Sequence, residues 1–451
     1  MKGSTRTWLA VAGVATGACA VLLGVGKSVV LPQFRFPAPS GPYAIGTVTQ
    51  HWVDPARAEI LGPAAGQHHR EVVAQFWYPA EPSAAQPTSY LAEPDAVVPA
   101  LAGLFGMPQV TLRHLGGITT NAVQGATVAA GGHRFPVVLL LSGLGGFRQA
   151  TTFLAEELAS HGYVVVGLDQ PYTAAAVAFP DGRVARLSSI EQVRPLVRQS
   201  YLPAATPPEL DGVPLDHGVV PFLSADVSFA LDQLERLNRA PSPSHPTPSP
   251  SHPTRSASPR PRPDAVPVAG RLDLDRVGVA GVSLGGLVVG EAVREEPRIK
   301  AALMLDAPVP VRTSRSSLDV PCMWLTRPPE AMRLERERAG GWSEDEIQAH
   351  HSTMRATFER LNAPGYFVQI PDISHLDFTD APLWSPALGW LGMTGPKDGS
   401  YAHAVINDYA LSFFQKYLDG ADIPLLDGPP NDHPEVTLDV HVATAPQEVT
   451  P

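Results

Sequence analysis

The sequence predicts an α/β fold, with a mostly parallel central sheet and helices on both faces. Three observations predict it. Short apolar runs of strand length recur, at 137–141, 163–169, from 276 to the Ser283 turn, 301–307, 321–326 and 366–370. A run that is apolar throughout, without alternation, suits a strand buried on both faces. Helical stretches separate these runs, and alternating strands and helices build a parallel, doubly covered sheet. Finally, Gly281-Val282-Ser283-Leu284-Gly285-Gly286 joins a strand-like run (277–280) to a helix-like run (287–293).

The elements follow in order. Lys2 and Arg6 precede an apolar run from Trp8 to Gly26, and Lys27 follows it. At about 19 residues this run lies between a signal-peptide core and a membrane span. Ala18-Cys19-Ala20 offers a cleavage site, although Val21-Leu22-Leu23 extends the apolar run past it. Residues 1–31 are therefore expected to be a signal peptide or membrane anchor, with the rest of the chain outside the cytoplasm. A catalytic domain is expected over 41–445. It opens with two β-rich stretches, 45–53 and 71–78, suited to the antiparallel start of the sheet. Residues 95–106 have helical spacing, with Val98, Leu101 and Phe105 on one face and Val97 and Leu104 beside them. This helix packs on the domain, or forms a flap over the site, or dips into lipid.

Ser142-Gly143-Leu144-Gly145-Gly146-Phe147 is a glycine-rich turn after the 137–141 strand. Helices are expected at 151–161 and 225–237. Between the second of these and the next strand, residues 240–267 repeat Ser-His-Pro-Thr at 244–247 and 251–254. Proline at this density forms neither helix nor internal strand, so the segment reads as a disordered surface insert.

The chemistry centres on Ser283. A serine on a sharp strand-to-helix turn is held in a strained conformation with its hydroxyl above the sheet. The following helix directs N–H groups at an oxyanion, and the turn at 142–147 is placed to supply another donor. Such a serine needs a base, and the base a carboxylate, in the chain order Ser, Asp or Glu, His. His375, in the loop after the 366–370 strand, is the expected base. His403, in an expected helix, is its rival. For the acid, Asp306 ends an apolar strand, whereas Glu330 follows the next one. Asp306 is the better-defined choice.

Composition excludes other classes. The chain has 451 residues, 44% of them hydrophobic, enough for a large core. Its net charge of −11 is unlike that of a nucleic-acid or anionic-membrane binder. There is no CxxC, HExxH or zinc-like spacing. The pairs His68-His69 and His350-His351 read as solvated side chains. Cys19 and Cys322 stand in segments not expected to meet, so no disulfide is expected.

These residues resemble the plasma-type platelet-activating-factor acetylhydrolase family and its bacterial relatives. The resemblance runs from about Gly41 to His433 outside the insert. It rests on Gly41-Pro42-Tyr43, Phe76-Trp77-Tyr78-Pro79, Ser142-Gly143-Leu144-Gly145, Ala159-Ser160-His161-Gly162-Tyr163, the Ser283 turn, Leu305-Asp306-Ala307 and His375-Leu376-Asp377-Phe378. It implies an α/β-hydrolase fold and calcium-independent cleavage of short or oxidised acyl esters from phospholipids. It implies Asp306 as the acid and the backbone N–H groups of Leu144 and Leu284 as the oxyanion hole. Two positions depart from the family: Ser142 and Val282 stand where it often has histidine, and both bear on substrate choice. The expectation is a secreted or membrane-tethered serine esterase with Ser283, Asp306 and His375 as its triad. It needs no cofactor or metal, takes a lipid or other small-molecule ester, and has possible contact with a membrane surface but none with nucleic acid. A triglyceride- or polyester-directed lipase, or a catalytically silent interaction protein, would share the fold.

Overall fold

The computed structural model describes residues 34–63, 65–239, 266–428 and 433–442. The expected export segment, 1–31, lies outside the described residues, as does the insert up to residue 265. Val266, counted with the insert above, is buried in the core, so packed structure resumes there. Among the described residues, no helix is long and apolar enough to cross a membrane.

Ten strands form one sheet: β1 (Ala44–Ala58), β2 (His69–Ala80), β3 (Val123–Gln124), β4 (Phe135–Leu141), β5 (Val164–Asp169), β6 (Leu272–Val282), β7 (Ile299–Leu305), β8 (Cys322–Thr326), β9 (Gly365–Gln369) and β10 (Thr437–His441). Their spatial order is β10-β9-β8-β7-β6-β4-β5-β2-β1-β3. The six strands from β5 to β9 along that order are parallel, as their apolar runs predict. The antiparallel pairs are β1 with β2, β2 with β5, and β9 with β10. The chain before the insert supplies β4 and the chain after it β6, and the two pair in register from Val137↔Val277 to Leu141↔Gly281.

Successive strand residues point to opposite faces. Val137, Leu139 and Leu141 join one core with helices α4 (Val220–Arg239), α5 (Leu284–Glu295) and α7 (Glu344–Phe358). Val138 and Leu140 join the other, with α2 (Thr152–Ser160) and α8 (Gly399–Leu418). A third cluster caps the C-terminal edge of the sheet. In it α1 (Pro94–Leu104) buries Val97, Val98 and Leu101 against Phe147, Trp384 and Leu388. A Cβ placed on Gly145 would lie 3.0 Å from Leu104, so the end of α1 rests on the glycine-rich turn. The remaining labelled helices are α3 (Ile190–Arg198) and α6 (Pro329–Ala339).

One buried acid in α2 makes the fold pH-sensitive. Glu156 accepts the N–H groups of Asn121 and Ala122 at 2.9 and 3.0 Å and the Asn121 side-chain amide at 2.8 Å. Burial outweighs these bonds and pushes its carboxyl up to about 7 from an ordinary 4.5. Because the folded-state value is raised, the associated stability is complete below the ordinary value and is lost as pH rises through the folded one. The loss amounts to about 3 kcal/mol at most. Glu156→Gln imitates the protonated form, so the melting temperature of the wild type relative to this variant should fall between pH 5 and pH 8. A difference that stays constant over that range would refute the assignment.

Candidate active site

The Ser283 turn is shaped by backbone crowding. β6 ends at Val282, α5 begins at Leu284, and Ser283 between them has φ 56° and ψ −117°. A non-glycine residue there carries strain of about 1–3 kcal/mol and must be held by its surroundings. The Ser283 N–H donates to Leu305 O at 2.9 Å, and its carbonyl accepts from Leu287 N at 3.1 Å. The flanking glycines are required. A Cβ on Gly281 would lie 2.4 Å from the Gly285 backbone, and one on Gly285 would lie 2.3 Å from Leu141 O. On the other side, a Cβ on Gly143 would lie 3.1 Å from Ser283 Cβ. Ser283 is therefore flanked by the turn that carries Leu144 and by the first residue of α5, Leu284. First-turn N–H groups have no acceptor within their own helix.

β7 pairs with β6 up to Leu305↔Val282, so Asp306 leaves the sheet one strand away from Ser283, at the same end. Asp306 is fully buried, with φ 44°. His375 approaches from the loop after β9, in a 3₁₀ turn whose cap joins Ser374 N to Asp377 Oδ2 at 2.6 Å. Its Nδ1 lies 2.6 Å from Asp306 Oδ2, and 18% of its side chain remains exposed. The Trp342 indole stands edge-on to the imidazole, with 5.3 Å between ring centres. Among the described residues, no hydrogen bond joins the Ser283 hydroxyl to His375. Such contacts are often long without substrate and tighten when it binds.

Asp306 has further partners. Arg327 Nε donates to Oδ2 at 2.8 Å, and Thr326 Oγ1 donates to Oδ1 at 3.0 Å. Burial alone would raise the Asp306 pKa. The Arg327 guanidinium, aided by the hydrogen bond to His375, wins and holds the carboxylate well below its ordinary range. The expectation for His350 is corrected here. It is fully buried in α7, its Nε2 3.5 Å from Asp306 Oδ1 and beyond hydrogen bonding, because its turn of helix faces the sheet. Burial lowers its pKa and that of His351, the latter to about 3, so both rings are neutral near pH 7. His68 and His69 are exposed, as expected.

The rivals sit elsewhere. Glu330 begins α6 with 77% of its side chain exposed and faces Arg333 at 3.4 Å. His403 is buried in α8, its ring stacked on Phe153 at 3.8 Å and its Nε2 on Thr379 O at 2.8 Å. Cys322 is buried in β8 as a free thiol, and Cys19 lies outside the described residues.

With this geometry in view, the similarities to known proteins can be placed. Residues 28–189 match the family model of platelet-activating factor acetylhydrolase, isoform II. A solved structure, the ferulic acid esterase from Streptomyces cinnamoneus, is 28% identical and superposes with a TM-score of 0.64. The match covers 90% of this chain and 99% of that one. The chain is an α/β-hydrolase. No curated protein matches its sequence.

The family match covers the acetylhydrolase-like motifs from Gly41 to Tyr163, including the Leu144 turn of this α/β-hydrolase. Ser283, Asp306 and His375 lie beyond it. Four of the hydrolase's residues around Asp306 and His375 are missing from the sequence-based expectation: Arg327, Glu335, Trp342 and His350. Arg327 could have been found, because it is a charged residue at the end of an apolar strand, the feature that marks Asp306. Glu335 stands in the charged stretch of α6 but turns inward. Its side chain is only 12% exposed and its Oε2 accepts the His375 backbone N–H at 3.0 Å. Nothing local in a charged helix marks which charge turns inward.

Proposed function

We propose that this α/β-hydrolase is a serine esterase whose triad is Ser283, Asp306 and His375. The observation that carries the reading is the 2.6 Å contact of His375 Nδ1 with Asp306 Oδ2, made beside the strained Ser283 turn. Ser283 attacks the acyl carbonyl while His375 Nε2 takes its proton. Asp306 holds the ring with Nδ1 protonated and stabilises the imidazolium. The N–H groups of Leu144 and Leu284 receive the oxyanion, at roughly 3 kcal/mol per donor. His375 then protonates the leaving alkoxide. Water, activated by the same imidazole, releases the acid and restores Ser283. The reaction needs no metal or organic cofactor.

The acetylhydrolase-like motifs favour short or oxidised acyl esters of lipids as substrates. The ferulic acid esterase likeness favours a second reading, aromatic acyl esters. The catalytic unit is 41–445 with the insert at 240–265, and the charged flank of residues 8–26 supports export, with contact to a membrane surface through the anchor or the cap.

The test is a p-nitrophenyl ester series from acetate to palmitate, run beside methyl ferulate on protein lacking residues 1–31. Hydrolysis of short chains alone is the expected result. Palmitate turnover points to a long-chain lipase and preference for ferulate to an aromatic acyl esterase. Inactivity on every ester would leave a silent interaction protein and overturn the proposal.

A further inference from the structure

Asp306, Arg327, Glu335 and His375 close a ring of contacts. The His375 imidazole meets Asp306 Oδ2 at 2.6 Å, and Arg327 Nε donates to that same oxygen at 2.8 Å. Arg327 Nη1 donates to Glu335 Oε2, and that oxygen accepts the His375 backbone N–H at 3.0 Å. Each carboxylate held by Arg327 therefore holds His375 in turn, one at the ring and the other at the main chain. Arg327 is fully buried. Two neighbouring carboxylates, one fully buried and one 12% exposed, would repel each other without a cation between them. The planar guanidinium fork reaches both with fixed geometry, which a lysine ammonium does not.

The backbone makes the ring possible. β8 lies beside β7 in parallel register, Leu305↔Leu325, and Asp306 N–H donates to Leu325 O at 2.8 Å. Asp306 and Arg327 thus leave the same edge of the sheet from neighbouring strands. Thr326 Oγ1 occupies Oδ1 at 3.0 Å while Arg327 occupies Oδ2, so the carboxylate plane is fixed from both sides. Glu335 approaches from α6, one face of which turns towards the His375 loop.

We propose that Arg327 is a positioning residue for the acid–base pair. Through Asp306 it fixes the ring of His375, and through Glu335 it fixes the loop that carries His375. Its partners are set to move together, since one cation bridges them. The proposal rests on the triad reading above, with Asp306 as the acid. Arg327 touches neither substrate nor the reacting atoms, so its removal should slow turnover without weakening binding.

The test measures kcat and KM on p-nitrophenyl butyrate, for purified protein with folding checked by circular dichroism. Arg327→Met should lower kcat by about 100-fold and change KM by less than about threefold, the loss expected when a catalytic group is slightly misplaced. Arg327→Lys, which keeps the charge but reaches only one carboxylate, should recover about tenfold of that loss. In an Asp306→Asn background, Arg327→Met should cost no more than about tenfold further, the share carried through Glu335, because the rest of its effect passes through Asp306. If Arg327→Met does not fold, Glu335→Ala takes its place, with an expected drop of about tenfold in kcat alone. A folded Arg327→Met with wild-type kcat, or one equally costly in the Asp306→Asn background, overturns the proposal, as does an unchanged kcat in Glu335→Ala. Asp306→Asn alone separates the two readings. If it loses turnover while folded Arg327→Met keeps the wild-type kcat, the brace falls and the triad stands. If it keeps the wild-type rate, the triad reading fails and the brace with it.

Discussion

Ser283→Ala should lower kcat on the preferred p-nitrophenyl ester by about 10⁶-fold, the scale on which removing a triad serine acts elsewhere. The argument is chemical. Alanine leaves no atom to attack the carbonyl, so only the oxyanion donors and binding would remain, and these still speed reaction over water by about 10³–10⁴. The fold should hardly change. Ser283 is half-buried, and the bonds that hold its turn run from its backbone to Leu305 and Leu287, which alanine retains. Alanine tolerates the positive φ no worse than serine does. The measurement is kcat with melting temperature beside it. An unmoved melting temperature with the rate retained would place the nucleophile elsewhere.

Asp306→Asn should lower kcat by about 10⁴-fold, as the corresponding change does in another serine hydrolase. Asparagine can turn its amide N–H₂ towards His375 Nδ1, which favours the tautomer that cannot accept the serine proton. It also removes the charge that offsets Arg327. Breaking a buried pair from one side costs about 3–5 kcal/mol, so the melting temperature should fall too. Rates should therefore be compared well below both melting transitions, with folding matched by circular dichroism. Glu330→Gln is the control. That side chain is largely exposed and, among the described residues, pairs with Arg333 alone, so its loss should leave kcat within about twofold, as surface changes usually do. If Glu330→Gln abolishes turnover and folded Asp306→Asn keeps most of it, the acid follows β8.

Much of this architecture was legible because burial on both faces writes itself as an unbroken apolar run. The runs at 137–141 and 163–169 became β4 and β5 almost residue for residue. The strand edges were harder. β10 alternates polar and apolar residues, Thr437-Leu438-Asp439-Val440-His441, is largely exposed, and among the described residues pairs with β9 alone. β3 is two residues long and held by β1. Neither carries an unbroken apolar run like those of the central strands, and sheet pairing completes them.

The candidate site divides in the same way. Ser283 and its glycines could be read because the turn's steric demands fall within six consecutive residues. Asp306 and His375 could be read because strand ends in this fold converge on one edge of the sheet. Contacts across the fold could not be read. Arg327 meets Asp306 21 positions away, and Glu335 meets His375 40 positions away. The buried face of α7 brings His350 to the same carboxylate. The sequence by itself determined the α/β class, the order of its buried strands and the turn at Ser283, because each follows from chemistry between near neighbours. Only the tertiary structure decided which charged side chains surround Asp306 and His375. A charged residue in a polar helix looks the same whether it faces water or an ion partner, and packing alone chooses between them.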